Sequence, residues 1–579
     1  MYFLNLLLIF LTFFSLDLQS QTTKEYPRNF FRNPLAIPMQ LSANFGELRS
    51  NHWHMGLDIR TNAKENYRVY AAADGYVAHI GVRPNSFGSF IIINHANGLS
   101  TLYGHLNEFF PELEKYVIDQ QYKKESWAIE LDFTKEQFPV KKGEFIAFSG
   151  NTGGSLGPHL HFEIIDTKTE KRLNPLLFNL PVSDNIPPTL VRLALYDRSK
   201  SVYEQSPELT VLKKTSGGYM LSGSQVLTTD HNEISFAIQA YDKSSGSGSR
   251  NGIYAAQLYF DGEEVVKFVL DSIDYDETLY MNAHIDYKHD YNGGVYLQHL
   301  SKMPGDNGPV YKSVRGDGVI SLNDTAVHTV SIEVQDTKGN NSVLNFSVRY
   351  NGEEDPLMAG TSVRKKLKPG ALSDIIKPGF SMSFREGTFY DEVPTSYLKN
   401  TTLSTYALTA AHTVSDESIP MHKRAVIRIK PDRNVPEGWK DKIVMTRTGK
   451  GTSVRKASWD GEWIKAEFGD FGTFQAFADI IPPSINDPGR GDTINLSAAS
   501  RILFTPRDNY DIESFRAELD GNWLRFTNDK GKNWIYKFDD RCPYGVHELK
   551  VKVADIAGNT ITKTWWFRRE PYTPSKKRK

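Results

Sequence analysis

The chain is poor in cysteine and has no excess of charge of either sign. Cys542 is the single cysteine among 579 residues, so no disulfide can form within the chain, and each domain must rest on an apolar core. A structural thiol is the simplest interpretation of Cys542. The formal net charge is −1 at pH 7. This argues against a nucleic-acid binder, because such proteins carry a basic excess or a basic face.

Long apolar runs and helical patterns are also scarce. The N-terminal run YFLNLLLIFLTFF gives an apolar stretch of about 15 residues, short of the roughly 20 that a membrane-spanning helix needs. A polar segment with the small residue Ser20 follows it. Residues 1–20 are therefore predicted to be a signal peptide, with an uncleaved anchor as the alternative. The body is expected to be exported to the periplasm or cell envelope, or secreted, without a spanning segment after signal removal.

The sequence is instead rich in patterns that are typical of β-strands. Residues 25–180 hold short alternating or apolar runs such as YRVYAAADGYVAHIGV, GSFIIINH and PHLHFEII, punctuated by Gly, Asn and Pro, which predicts an antiparallel β domain. One polar insert at about 111–140 is open to interpretation as a short helix or as a hairpin over the sheet.

A repeat follows this first domain. DNIPP at 184–188 recurs as DIIPP at 479–483, and each is followed by β-rich sequence that closes on a similar turn, VQDTKGNN or VADIAGNT. An Asp-x-x-Gly-Asn turn between alternating strands indicates a hairpin. The predicted fold is mainly β, with these downstream units: immunoglobulin-like β-sandwiches at 184–352, with insertions, and at 479–570, a β domain of uncertain type at 353–478, and a basic tail at 571–579.

Three motifs in the first domain carry potential chemistry: HMGLD at 54–58, LYGHL at 102–106 and GPHLHFE at 157–163. In a strand, His159 and His161 project from the same face about 7 Å apart, a spacing that suits one metal ligand beside one catalytic base. His54 and Asp58 share a face in either a strand or a helix, GLDIR favours a strand, and Gly56 would leave room above an ion.

Each motif is a weak signal alone, but their combination within one domain is not. Two histidines and one carboxylate would make a zinc site with three protein ligands and an open fourth position, which is the catalytic kind. The stretch from about 35 to 178 resembles the lysostaphin-like (LytM-type) zinc endopeptidases, metallopeptidase family 23. Their pattern is H-x-x-x-D, then a histidine in a Y-x-H-L strand, then Gly-Pro-His-Leu-His-Phe-Glu, and all three parts occur here in order.

The resemblance implies a LytM-type antiparallel β-sheet peptidase domain that binds one Zn²⁺ through His54, Asp58 and His161. It makes His105 and His159 the unliganded pair, one taking a proton from the attacking water and the other hydrogen-bonding the developing oxyanion, in an order that the sequence leaves open. The implied activity is hydrolysis of peptide cross-links of peptidoglycan during cell-wall remodelling. Envelope proteins are possible partners of the β-sandwich domains, and no nucleic-acid partner is expected.

Neighbouring residues have plainer interpretations. His52 is expected at the solvent or groove rim, His95 at a strand end and Tyr103 packed against the sheet. Glu163 is either a residue that orients a metal ligand or a surface glutamate. The insert at 111–140 is expected to reshape a wall of the substrate groove.

Two other functions compete with the enzyme. A non-catalytic LytM-type regulator or adaptor would keep the fold, lose ligands and activate another wall hydrolase. In a structural surface protein, the β-sandwich domains would carry the function, and the five aligned site residues would remain unexplained. The presence of all five site residues favours the enzyme.

Overall fold

The computed structural model describes residues 26–352 and 366–572. The predicted signal peptide at 1–20 and the basic run Ser575–Lys579 lie outside these ranges. Within them, no helix is long and apolar enough to cross a membrane. Strands are the main secondary structure in all four domains described below. This confirms the prediction of a mainly β protein with further β-sheet domains after the first.

The first domain is built on an antiparallel sheet. Its elements are β1 Leu41–Ala43, β2 Leu48–Arg49, β3 His52–Trp53, β4 Leu57–Arg60, β5 Arg68–Tyr70, β6 Gly75–Val82, β7 Ser89–Asn94, β8 Leu99–Phe109, α1 Pro111–Lys124, β9 Ile129–Asp132, β10 Pro139–Val140, β11 Phe145–Ser149, β12 His159–Asp166 and β13 Arg172–Leu173. The main path of the sheet runs β1-β4-β12-β8-β7-β6-β10. The motif strands β4, β12 and β8 are therefore immediate neighbours at its centre.

Strand alternation explains how β12 serves the core and the site together. Leu160, Phe162 and Ile164 are fully buried in the core of the first domain. Because successive side chains of a strand point to opposite faces, His159, His161 and Glu163 lie on the other face. The sequence HLHFEI thus puts its apolar residues into the core and its ionisable residues on the opposite face, beside β4 and β8.

The polar insert forms a helix rather than a hairpin. Pro111 occupies the first turn of α1, a position where its missing N–H is not needed. The helix ends at Glu125, which has a left-handed backbone, and it buries Leu113, Val117 and Gln121. The short strands β9 and β10 then pair with β6.

Strands of the second domain form one 12-stranded sheet around an apolar core. The elements of this domain are β14 Thr189–Asp197, β15 Glu208–Thr215, β16 Gly218–Leu221, β17 Val226–Thr229, β18 Glu233–Tyr241, β19 Ala255–Phe260, β20 Glu263–Val269, β21 Ser272–Ile273, α2 Met281–His284, α3 Tyr287–Tyr291, β22 Gln298–His299, β23 Tyr311–Val314, β24 Ile320–Ser321, β25 His328–Gln335 and β26 Asn341–Tyr350. The main path of the sheet has the order β22-β18-β14-β15-β16-β26-β25-β19-β20-β23.

The first and second domains share a sheet and part of a core. Strand β21 pairs with β13, so the second domain adds a strand to the sheet of the first. Trp53 and Met55 are buried in the core of the second domain, and the backbone N–H of Trp53 donates to Thr278 Oγ1. Polar and apolar residues alternate in the HWHM segment, and its two apolar residues are buried in the core of the second domain.

The third domain contains two five-stranded sheets. Its strands are β27 Lys366–Leu367, β28 Ser373–Lys377, β29 Phe380–Phe384, β30 Val393–Pro394, β31 Tyr397–Asn400, β32 Ala411–Val414, β33 Pro420–Ile429, β34 Ile443–Thr448, β35 Thr452–Lys456, β36 Ser458–Asp460, β37 Trp463–Asp470 and β38 Gly472–Ala478. The two sheets are β28-β29-β33-β37-β36 and β31-β32-β38-β34-β35, and β27 pairs with β30.

The fourth domain returns to the first. Its strands are β39 Thr493–Asn495, β40 Arg501–Phe504, β41 Ile512–Leu519, β42 Asn522–Trp523, β43 Trp534–Lys537, β44 Gly545–Asp555 and β45 Thr560–Arg569. Arg525 Nη1 donates to Gln121 Oε1 of α1 at 3.0 Å, and the Trp523 and Tyr122 rings meet edge to face. Helix α1 is thus a docking surface for the fourth domain.

Candidate active site and metal centre

An open cleft lies above the centre of the first sheet, and all five site residues predicted from the sequence line it: His54, Asp58, His105, His159 and His161. Asp58 lies on β4, His105 on β8, and His159 and His161 on β12. His54 lies in the turn before β4. The expectation that one strand or helix carries both His54 and Asp58 is therefore wrong, because residues 54–56 are irregular, whereas Leu57–Arg60 forms a strand as expected.

Three potential metal-ligand atoms converge in this cleft. His54 Nε2 lies 3.0 Å from Asp58 Oδ1 and 3.2 Å from His161 Nδ1, and His161 Nδ1 lies 2.9 Å from Asp58 Oδ1. Ligands about 2.1 Å from a tetrahedral zinc ion stand about 3.4 Å apart. The three atoms fit such an ion with a small outward shift.

Contacts on the far side of each ring set the tautomers of these two histidines. His54 Nδ1 lies 2.7 Å from the carbonyl oxygen of Asn44, and His161 Nε2 lies 2.9 Å from Glu163 Oε1. Each of these nitrogens is a donor, since its partner accepts only. The lone pairs of His54 Nε2 and His161 Nδ1 therefore face each other and Asp58, as histidine ligands of a metal do.

The charges of the site also suit a cation. Burial alone would raise the pKa of Asp58, but the charge of His54 and the hydrogen bonds from His159, His161 and His54 outweigh it and hold that pKa well below its usual range. Burial would lower the pKa of His161, but Asp58 and Glu163 raise it to about 9. Without a cation, the converging atoms of His54, His161 and Asp58 share a proton. A metal ion would replace that proton.

Glu163 is the buried residue that orients His161, not a surface glutamate. It is fully buried, and Arg172 Nε donates to its Oε2 at 3.2 Å. The hydroxyl of Tyr275 donates to its Oε1 at 2.6 Å. Burial would raise the pKa of Glu163, but its contacts with His161, Arg172 and Tyr275 lower it, so the carboxylate stays charged behind the His161 ring.

His105 and His159 stand together beside the three converging atoms. Their ring centroids are 4.7 Å apart. His105 Nδ1 donates to the carbonyl oxygen of Thr152 and His159 Nδ1 to that of Gly157, both at 2.8 Å. The His105 ring consequently presents Nε2 as a lone pair, whereas Nε2 of His159 lies 3.3 Å from Asp58 Oδ1, at the edge of the three converging atoms. Burial and the neighbouring histidines lower the pKa of His105 to about 3, which keeps its ring neutral.

The predictions for the neighbouring residues are confirmed in part. His52 is exposed at the rim of the cleft, and Tyr103 is fully buried, as expected. His95 packs against Phe30 and Phe31 and lies outside the cleft. The expectation that the 111–140 insert shapes the groove is wrong. None of the described residues that line the cleft belongs to it, because α1 packs against the fourth domain instead.

The sequence motifs did not reveal three residues of the site. Tyr275 comes from the second domain and lines the cleft. Arg49 Nη2 lies 3.4 Å from Asp58 Oδ2, and Arg172 holds Glu163. No local sequence pattern identifies these three residues. Tyr275 reaches the cleft only because β21 pairs with β13.

Comparisons with known proteins place the first and third domains. Residues 52–175 match the model described as Peptidase family M23, and residues 365–479 match the model of the Zu5-like domain. The chain is 32% identical over 132 residues to the DD-carboxypeptidase/endopeptidase Mpg of Neisseria meningitidis, covering 23% of this chain and 24% of that protein. It is 27% identical over 166 residues to the peptidoglycan DD-endopeptidase ShyA of Vibrio cholerae, covering 28% and 32%.

The solved catalytic domain of lysostaphin from Staphylococcus simulans is 20% identical and covers 24% of this chain and 91% of that chain, with a TM-score of 0.19. The chain spans about a quarter of the curated Mpg protein and about a third of ShyA. The family match coincides with the residues that carry the three motifs and the cleft. Residues 52–175 form a domain of peptidase family M23.

Proposed function

We propose that the protein is an exported zinc metalloendopeptidase that hydrolyses peptide cross-links of peptidoglycan. The observation that carries the proposal is the convergence of His54 Nε2, Asp58 Oδ1 and His161 Nδ1 within 3.2 Å of one another, with both histidine lone pairs directed inward. These three side chains would hold the ion. Zinc would supply Lewis-acid polarisation of the scissile carbonyl and acidification of the attacking water.

The chain's own residues divide the remaining work. His105 and His159 place their Nε2 atoms side by side at the edge of the ligand set. There, a ring with a lone pair on Nε2 accepts the proton of the water, and a ring that carries a proton on Nε2 donates to the oxyanion. The carbonyl oxygens of Thr152 and Gly157 hold the two rings in place. Arg49 forms an ion pair with the outer oxygen of Asp58 at 3.4 Å.

The substrate class and the location rest on the family match and on the printed activities of the relatives. Family M23 relatives include enzymes named as peptidoglycan endopeptidases, and peptidoglycan lies outside the cytoplasmic membrane. The cleft is open and lined by both polar and apolar side chains, which suits a peptide in extended form. A regulator without activity would need neither the adjacent His105 and His159 rings nor the buried Glu163 behind His161.

Metal content and peptidoglycan digestion test the proposal together. Purified protein is expected to hold one zinc per chain and to release new amines from purified peptidoglycan, with the cleaved bond identified by mass spectrometry of the products. His161→Ala should lose the metal and the activity. His159→Ala is the matched control on the same strand, and it should keep the metal and lose the activity.

Two outcomes would contradict this assignment. A wild-type protein that takes up no zinc, or one that binds zinc and leaves peptidoglycan intact while activating another hydrolase, would favour the regulator. Loss of zinc from His159→Ala, with zinc retained in His161→Ala, would show that the roles of the two histidines are exchanged.

A further inference from the structure

The repeat that marks the second and fourth domains brings two sets of three aspartates together. Asp184, Asp242 and Asp336 form the first set, and Asp479, Asp508 and Asp555 form the second. In each set, one oxygen from every carboxylate lies within 4.8 Å of the others. We name these sets the first and second aspartate triads.

The members of the two triads occupy corresponding positions. Asp184 and Asp479 open the DNIPP and DIIPP segments. Asp242 directly follows β18, and Asp508 lies four residues beyond the end of β40. Asp336 and Asp555 begin the Asp-x-x-Gly-Asn turns. The same three places in two separate domains supply the carboxylates, so the arrangement is a repeated feature rather than one chance cluster.

The turn aspartates are fixed by their own loops. Asp336 Oδ1 accepts from the backbone N–H of Asn340 at 2.9 Å, and its Oδ2 accepts from the Asn340 side chain at 2.6 Å. Asp555 is held by Asn559 in the same two ways, both at 2.8 Å. Each turn therefore presents a rigid carboxylate that cannot rotate away from the other two.

Buried oxygens in both triads have no hydrogen-bond partner. Asp242 is 5% exposed and Asp479 1% exposed, and Asp242 Oδ1, Asp479 Oδ2 and Asp508 Oδ1 are all unpartnered. Among the described residues, no lysine or arginine forms an ion pair within 4.0 Å with any of the six aspartates. Lys338 and Lys442 act on Asp184 and Asp479 only from beyond ion-pair distance. Three carboxylates that face each other without a direct ion pair are costly to bury.

A neutral oxygen adds to the first triad. Asn251 pairs with Asp242 through two backbone hydrogen bonds of 2.9 Å, so the two side chains leave the same face of the sheet. Asn251 is 3% exposed, its amide nitrogen donates to Ser244, and its Oδ1 has no partner. This oxygen is a fourth ligand candidate of the kind that hard cations accept.

We propose that each aspartate triad binds one divalent cation with a preference for oxygen ligands, namely Ca²⁺. The ligand atoms are carboxylate and amide oxygens, without nitrogen or sulfur, which selects a hard cation over zinc. Ca²⁺ accepts irregular oxygen shells more readily than Mg²⁺, which demands near-ideal octahedral geometry. Asp184 and Asp508 are only half-buried, which leaves an entry path to each site.

The positions of the triads give the ions a structural role. Asp184 lies where the first domain joins the second, and Asp479 lies where the third joins the fourth. Each ion would tie a linker carboxylate to a strand end and a hairpin turn of the following domain. Calcium would thereby fix the orientation of both domains that contact the peptidase domain.

Calcium counting on the full chain tests this proposal. The protein is stripped of metal, given back one equivalent of zinc, titrated with CaCl₂ in a calorimeter and examined by native mass spectrometry. Wild type should take up two Ca²⁺ ions per chain, Asp242→Asn and Asp479→Asn one each, and the double variant none. Asp374→Asn, at an exposed position of the third domain, is the matched control and should bind two.

Thermal unfolding separates metal binding from a purely structural role of the carboxylates. Without calcium, Asp242→Asn and Asp479→Asn should unfold at or above the wild-type temperature, because each removes a buried carboxylate with one unpartnered oxygen. With calcium, wild type should rise and the double variant should not. Uptake that is zero in wild type or unchanged in the variants would overturn the proposal, as would variants that unfold at lower temperature by the same amount with and without calcium.

Discussion

The hydroxyl of Tyr275 donates a hydrogen bond to Glu163 Oε1 at 2.6 Å, across the boundary between the second and first domains. Glu163 in turn holds Nε2 of His161, the residue proposed as a metal ligand. The Arg172 guanidinium lies over the Tyr275 ring at 4.3 Å and donates to the same carboxylate. The second domain thus takes part in orienting His161.

Removal of this hydroxyl should weaken zinc binding. Tyr275→Phe keeps the ring over Arg172 and loses one hydrogen bond to Glu163, so His161 should be less firmly oriented. Substitutions at such positions typically lower metal affinity by about 10-fold or more. Competition with a chromophoric chelator measures the change. Tyr544→Phe, at an exposed position in the fourth domain, should leave zinc affinity unchanged, and equal affinities for both variants would contradict the role of Tyr275.

Gly56 should not tolerate a side chain. A Cβ atom there would lie 2.6 Å from the carbonyl oxygen of Phe162 and 3.0 Å from Cε1 of His161. Gly56→Ala must therefore push the HMGLD turn away from β12, at a cost of about 1–3 kcal/mol in the free energy of unfolding. Denaturant unfolding and zinc titration should both report the change. Gly98→Ala is unsuitable as a control because of its positive φ, whereas Gly157→Ala meets no atom within 4 Å and should preserve zinc affinity.

The fourth domain should support the rim of the cleft. Lys530 Nζ donates to the carbonyl oxygen of Ser155 at 2.6 Å, and Asp529 Oδ1 accepts from the backbone N–H of Gly153 at 2.7 Å. The segment from 153 to 157 also carries the carbonyl that holds His159. Lys530→Ala should therefore reduce peptidoglycan hydrolysis several-fold while zinc content stays at one per chain.

Limited proteolysis provides a second measurement of the same contact. The segment from 153 to 157 should be cleaved faster in Lys530→Ala than in wild type, and Lys532→Ala, exposed in the same loop, should match wild type in both assays. An increase in activity for Lys530→Ala would instead show that the fourth domain restrains the enzyme.

Asp306 should make the second domain less stable as pH rises. Burial raises the pKa of its carboxyl to about 6, above the value near 4 of an unfolded chain. The folded state therefore binds more protons between these values, so stability falls with rising pH through this window and is constant above it. Asp306→Asn should remove this dependence, and its unfolding free energy should exceed that of wild type by about 1–3 kcal/mol at pH 7.

Unfolding measured at pH 4, 5, 6 and 7 checks the sign. The difference between Asp306→Asn and wild type should grow from pH 4 to pH 6 and then level off, while Asp276→Asn, exposed in the same domain, should show no such growth. A difference that is constant with pH would attribute the effect to packing alone.

The sequence predicted the strands and the candidate site better than the surroundings of that site. The alternation in HLHFEII determines which side chains of β12 enter the core, so the common face of His159, His161 and Glu163 follows from local pattern. The roles of Trp53 and Met55 do not, since their burial depends on the core of a second domain. The same holds for helix α1, whose polar residues are explained by the fourth domain and not by the groove.

The pairing of β13 with β21 determines where the peptidase unit can be cut. A fragment that ends at residue 180, where the sequence pattern changes, would keep His54, Asp58, His105, His159 and His161. It would also leave an unpaired sheet edge, expose Trp53 to water and remove the hydroxyl that steadies Glu163. We therefore expect the smallest stable peptidase fragment to extend through the second domain, and inactivity of a shorter fragment would say little about the chemistry of the intact chain.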